Sequence, residues 1–229
     1  ENAIPKEAKA VVSVRSCDAT TFEQSIKESA AVWMQEISAT EPHAKIELEK
    51  TDIAADKVLD SKSTANVIYA LWLSPDGVYK MSQEIKGMVQ TSLNLGTAYL
   101  DADKLVYKYL IRSNTAAGKK LLLERVTTFA KHLSGKVVTM SDYPAWEYKS
   151  DSQLRKICVD SFTNVYGHEP EVTSIHAGLE CGILAGKMPG VDMISFGPTL
   201  ESVHTPDECM DAASVERTWE YLLEILKSL

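Results

Sequence analysis

Apolar residues recur along this chain at two spacings, and the switches between them outline its elements. Residues 8–15 (AKAVVSVR) are valine-rich with partial period-two alternation, which predicts a strand. From 19 to 38 the spacing turns helical, with Phe22, Ile26, Ala30, Trp33 and Ile37 on one face. Thr20, followed three residues later by Glu23, fits a capping box at that helix's start. Residues 44–50 (AKIELEK) alternate as a half-exposed strand, and 63–73 read as a second helix stopped by Ser74-Pro75-Asp76-Gly77. Two further strand-like runs, 88–95 and 104–112, are joined through Gly96 and a turn at 101–103. The spacing then predicts a helix over 115–133 with Leu122, Val126, Phe129 and Leu133 inward, Gly135 at its C-cap, and a short strand at 136–140. This order predicts helices packed on one face of an antiparallel sheet, an α+β domain.

Residues 141–152 (SDYPAWEYKSDS) interrupt the pattern with proline, aromatics and polar side chains, and a domain boundary is placed there, between 145 and 150. Beyond it come a helix over 152–166, a strand at 171–175, the glycine-containing HAGLECGILAG, a strand at 191–196 (VDMISF) and a helix over 211–228. VDMISF is nearly all apolar, as a strand buried on both faces of an α/β sheet would be. The last helix is expected to bury Val215, Trp219, Leu222 and Leu226. Two strands do not make a doubly covered sheet, so this second part reads as the closing piece of an α/β domain. The chain shows no internal repeat or low-complexity segment. With Glu1 rather than Met at the start, it is expected to be processed or a piece of a longer protein.

Composition narrows the function. The 229 residues carry a net charge of −8, which argues against a nucleic-acid surface built from clustered Lys and Arg. No apolar run approaches the roughly 18 residues of a membrane span, and no basic-then-apolar leader is visible. Four widely spaced cysteines, Cys17, Cys158, Cys181 and Cys209, form no CxxC pair and are expected to be reduced thiols of a cytoplasmic protein.

Chemistry concentrates in a few stretches. His204 sits in FGPTLESVHTPDE, a loop that leaves a predicted strand before a helix, where ligands bind in open α/β sheets. Imidazole is a common zinc ligand, but a zinc site needs at least three protein ligands. No HxxxH, HExxH or HxD supplies the others here. IHAGLECG at 175–182 sets Gly178, Glu180 and Cys181 just after a predicted strand. Gly178 would admit a close backbone approach or offer an N–H to an oxyanion, and Glu180 suits an amine or metal. A helix start with small residues for packing is the plainer reading of the same text. Arg112 ends a predicted strand; its planar fork suits a carboxylate, although a solvated charge fits that position too.

Taken together, NAIPKEA at 2–8, QTSLNLG at 90–96, LIRS at 110–113, YPAW at 143–146, IHAGLECG at 175–182, VDMISFGPTL at 191–200 and HTPDE at 204–208 occur in a fixed order. In this order the chain resembles the aminoacyl-histidine dipeptidase (Xaa-His dipeptidase, peptidase D) family of di-zinc metallopeptidases, over nearly its whole length. The resemblance implies a catalytic α/β domain split by an inserted α+β lid. Residues 1–145 would be most of the lid, and 150–229 the C-terminal return into the catalytic domain. It implies that His204 is a metal ligand, that Arg112 grips the substrate carboxylate, and that Asn2 and the backbone of Gly178 line the same site. Glu180 lies in the motif without an assigned role.

The family's His-x-Asp pair, bridging aspartate, Glu-Glu with its general base, and His-Ser-Gly do not occur here. The nearest text, His132-Leu133-Ser134-Gly135, lies at a helix end. The resemblance therefore implies the C-terminal part of a cytoplasmic, homodimeric zinc dipeptidase cleaving Xaa-His dipeptides. On its own this part should be inactive and metal-free or weakly metal-binding. A non-catalytic dimerisation or binding module derived from the lid is the alternative, and a hydrolase using Cys181 ranks behind both. Unpartnered apolar faces in 150–229 are expected to drive association or leave the boundary disordered.

Overall fold

A computed structural model describes residues 4–51, 58–101, 103–174, 179–203 and 205–229. It divides into two compact units, Pro5–Leu71 and a second made of Trp72–Leu229 together with Ile4. In the first unit, helix α1 (Ala19–Ile37) has no buried residue, and Phe22, Ile26, Ala30, Met34 and Ile37 form its half-buried stripe. The expected capping box is not formed. Asp18 occupies the N-cap held by Arg15 at 2.7 Å, and Glu23 pairs with Lys27, one turn along. Helix α2 (Ser61–Trp72) starts on Asp60, whose carboxylate accepts from the N–H of Ser63 at 2.7 Å.

The second unit holds the sheet. Strands β1 (Gly77–Met81), β2 (Val89–Asp101) and β3 (Lys104–Ser113) pair in that order, all antiparallel. The β2–β3 hairpin falls where the sequence predicts one, and Asp101 opposes Lys104 at its tip. Gly96 is not part of the turn: β2 runs on through it, and the register shifts between Leu95 and Thr97. β1 was hidden behind the turn signal. Gly77 adopts φ +94, a conformation glycine takes freely, and Asp76 accepts from the N–H of Leu95 at 2.8 Å. Helix α3 (Ala116–His132) covers one sheet face, and Leu93, Leu122 and Val126 pack with Tyr79, Tyr109 and Ile111. Leu122 and Val126 are the inward residues its spacing predicts.

A separate core joins α4 (Gln153–Tyr166) to α6 (Ala212–Ser228) through Cys158, Tyr221 and Ile225, with Leu154, Ile157, Phe162, Tyr166 and Ile194 around them. Gly167, in the left-handed region, ends α4 as a C-cap. The buried stripe of α6 is Ser214, Tyr221 and Ile225, not the expected Val215, Trp219, Leu222 and Leu226. Trp219 and Leu226 are both 58% exposed. α6 is apolar around much of its circumference, and α4 covers only one side of it. Between these helices lie α5 (Glu180–Lys187) and a two-residue ladder of β4 (Leu200–Glu201) with β5 (Cys209–Met210).

Five expected strands are not in any ladder. Residues 8–15, 44–50, 136–140, 171–174 and 191–196 are extended-pattern text without a pairing partner among the described residues. A strand exists only when a neighbour takes its N–H and C=O groups, and alternation alone does not supply one. The surface area carries the same message. The chain exposes 17963 Å², against roughly 12,000 Å² for two separate globules of these sizes. No helix among the described residues is long and apolar enough to cross a membrane. Cys158 is buried, Cys181 half-buried, and Cys17 and Cys209 are exposed.

Candidate functional site

Of the five candidate residues, Arg112 and Glu180 fall within the described structure; Asn2, Gly178 and His204 lie outside the described residues. Arg112 is half-buried near the end of β3, directly opposite Ser92 of β2. Successive strand side chains alternate between faces. α3 covers the face of Leu93, Tyr109 and Ile111. Arg112 therefore stands on the other face with Lys108 and Leu110, beside Ser92 and Asn94 of β2. That face presents two cations and two neutral hydrogen-bonding side chains, a surface suited to an anion such as a carboxylate.

Where β3 passes into α3, the chain is fixed by a run of hydroxyls. Thr91 and Ser113 share a bond at 2.9 Å, and Thr115 accepts from the N–H of Gly118 as the N-cap of α3. The N–H of Ala116, another open donor of that helix start, is taken by the Glu147 carboxylate at 2.9 Å. Lys119 reaches Asp142 and the carbonyl of Tyr143. On the sheet, burial and then neighbouring Tyr109 push the Tyr107 hydroxyl up to about 12. Its oxygen and Oδ1 of Asn114 are buried without a hydrogen-bond partner among the described residues.

Glu180 is the first residue of α5, exposed, at the end of the helix where backbone N–H groups are open. Helix and strand elements barely touch α5. It rests instead on the proline-aromatic segment, with the Pro144 carbonyl lying where a side chain on Gly182 would be. Nearby, Asp192 of VDMISF accepts from the Ser152 hydroxyl at 2.9 Å and the Leu154 N–H at 3.0 Å, closing the start of α4. Desolvation pulls the Asp192 carboxyl upward, but those two bonds, with Lys149 close by, outweigh it and hold it below its ordinary value.

Among the described residues no group of three or more His, Cys, Asp or Glu side chains is placed to hold a metal. His204, the metal ligand that the resemblance implies, lies outside the residues so compared. Cys181 is partly buried beside Glu180 with no histidine hydrogen-bonded to it among the described residues. An open apolar hollow of about 570 Å³ beside α3, lined by Leu73, Pro75, Leu121, Arg125 and Phe129 among others, includes none of the candidates. Sequence reasoning passed over Pro144, Glu147 and Gly182. The signals were the YPAW text itself and glycines four apart in ECGILAG.

A three-stranded antiparallel sheet with a helix on one face, followed by helices α4 to α6, makes a chain of mixed α and β class. Over residues 8–228 it matches peptidase family M20/M25/M40, and it belongs to that family. It is 31% identical over 229 residues to the cytosol non-specific dipeptidase of Escherichia coli (strain K12), covering all of this chain and 47% of that protein. The crystal structure of aminoacylhistidine dipeptidase from Vibrio alginolyticus superposes with a TM-score of 0.83 at 29% identity, over 93% of this chain and 44% of that one. Aminopeptidase PepT from Bacillus cereus, at 16% identity and a TM-score of 0.50, covers 72% of this chain and 45% of its own, and shows likeness of fold alone. The chain thus spans about half the length of the relatives it matches.

Proposed function

We propose that this chain is the C-terminal part of a cytoplasmic dipeptidase that hydrolyses dipeptides, Xaa-His among them, and that it supplies the substrate-binding wall. The observation that carries the reading is the match to two dipeptidases over 100% and 93% of this chain, with Arg112 half-buried on the sheet face opposite α3. In this reading residues 1–145 act as the lid and 150–229 as the end of the catalytic domain. Arg112 forks onto the substrate carboxylate, Asn2 and the Gly178 backbone line the same pocket, and Glu180 borders it. His204 is one ligand of a zinc site whose other ligands, and whose general base, come from the half of the relatives that this chain does not span. When bound, the metal would supply the polarised carbonyl and activated water of peptide hydrolysis. The chain's own residues hold and orient the dipeptide. Alone, it is inactive, and in the complete protein it works as a homodimer.

The test uses the complete polypeptide that contains this chain, with an Xaa-His dipeptide and the same dipeptide amidated at its C-terminus. Arg112→Ala is expected to lower kcat/KM for the free carboxylate by about a hundredfold, the loss of a buried charge-assisted pair, and to leave the amide nearly unchanged. Equal loss on both substrates would sink the assignment of Arg112. A module with no catalytic role would show no hydrolysis in any form.

A further inference from the structure

We propose that residues 142–147 form a strut that sets the position of helix α5 relative to the N-terminus of α3, making Gly182, Pro144 and Glu147 positioning residues. Both ends of the strut are bonded to α3: Glu147 takes the Ala116 N–H at 2.9 Å, and Lys119 holds both Asp142 and the Tyr143 carbonyl. Its middle, Pro144 and Trp146, is packed against α5. A Cβ on Gly182 would lie 2.7 Å from the Pro144 carbonyl oxygen, closer than real Cβ atoms come, and 3.7 Å from the Trp146 Cβ. Backbone, not a movable side-chain tip, occupies that space. One turn on, Gly186 meets only the Pro144 ring, at 3.5 and 3.6 Å, an ordinary contact that an alanine would keep.

The path this makes through the chain is short. Arg112 lies four residues before Ala116, and Glu180 two residues before Gly182. No other helix or strand among the described residues packs more than marginally on α5, whereas the strut lies against it at both Gly182 and Gly186. Its consequence for the site rests on the function proposed above: the strut fixes how far the carboxylate-binding arginine stands from the motif that opens α5. A dipeptide held at one end by Arg112 is then measured by the strut.

The experiment has two readouts. In the 229-residue chain, backbone amide exchange of Ala116 is followed by NMR in Gly182→Ala and Gly186→Ala. Ala116 should exchange about tenfold faster in Gly182→Ala, as local opening where the strut meets α3 requires, and within about twofold of the parent in Gly186→Ala. A folded Gly182→Ala variant with Ala116 unchanged overturns the strut. Should Gly182→Ala not fold, Glu147→Ala, a change at an exposed side chain, reads the coupling in reverse. Faster exchange at the Gly182 amide supports the proposal, and no change overturns it. In the complete polypeptide, Gly182→Ala should lower the preference for a dipeptide over its C-terminal amide about tenfold. A merely structural loss would lower both rates alike and would overturn the positioning role. If the parent itself shows no such preference, the proposed role of Arg112 fails, while the amide readout still decides the strut.

Discussion

Replacing Asp192 tests whether VDMISF is held by a helix cap instead of a sheet. The Asp192 carboxylate accepts from the N–H of Leu154, the second residue of α4, while Ser152 accepts from the N–H of Arg155, the third. The two side chains thus satisfy adjacent open donors, and Ser152 also donates to Asp192. Removing a capping side chain costs about 0.5–2 kcal/mol. Asp192 is partly solvent-screened, which places Asp192→Ala near the middle, about 1 kcal/mol. Asp192→Asn keeps an oxygen acceptor and loses only the charge at a helix N-terminus, about 0.5 kcal/mol at low salt.

The carboxyl of Asp192 lies below its ordinary value in the folded chain. A depressed folded pKa stabilises above the unfolded value, near pH 4, and that stability fades as the pH falls through the folded value. Thermal unfolding followed by circular dichroism at low salt should therefore show Asp192→Asn melting about 1–2 °C below the parent at neutral pH. The gap should hold down to about pH 5 and close below about pH 4. A gap that stays constant to the lowest pH, or none at neutral pH and low salt, would refute the capping account. A doubly buried strand would instead make Asp192→Leu stabilising.

Other outcomes follow from the same structure. Leu122→Ala, at a position 1% exposed between α3 and the sheet, should cost about 3 kcal/mol in urea unfolding; less than about 1 would contradict the packing described. The excess apolar surface should make the 229-residue chain associate as concentration rises in sedimentation velocity, and a monodisperse monomer throughout would count against this. Alkylation of Cys181 should leave dipeptide hydrolysis by the complete polypeptide intact whereas a chelator abolishes it; the reverse pattern would revive a cysteine mechanism.

The helices were legible because their 3.6-residue periodicity needs no partner to be seen. α3 and α4 begin and end within about a residue of their predicted bounds, and Thr115, Ser152 and Gly167 cap them as their chemistry suggests. The β2–β3 hairpin was legible through its two apolar runs and the acidic turn. Failures came where local pattern does not determine the outcome. VDMISF is apolar enough for a buried strand, but the polar Asp192 within it had a helix start to bind, and among the described residues no strand lies beside it to form a ladder. β1 was not legible, because the only signal near it is the turn at 74–77, whose Gly77 also opens the strand. α6 has apolar residues on more than one face, so periodicity alone could not say which side meets α4. Of the candidate site, Arg112 was legible only by resemblance, since an arginine at a strand end is ordinary. The strut was legible in neither way, because Gly182 matters through a carbonyl far away in sequence.

Hydrolysis by the purified 229-residue chain is the most direct measurement of the central claim, that this chain binds and orients a dipeptide but does not cleave it. With an Xaa-His dipeptide, excess zinc and preparations free of host peptidase, no turnover above the buffer rate is expected. Turnover that tracks the chain through purification and is lost in Arg112→Ala would contradict the account.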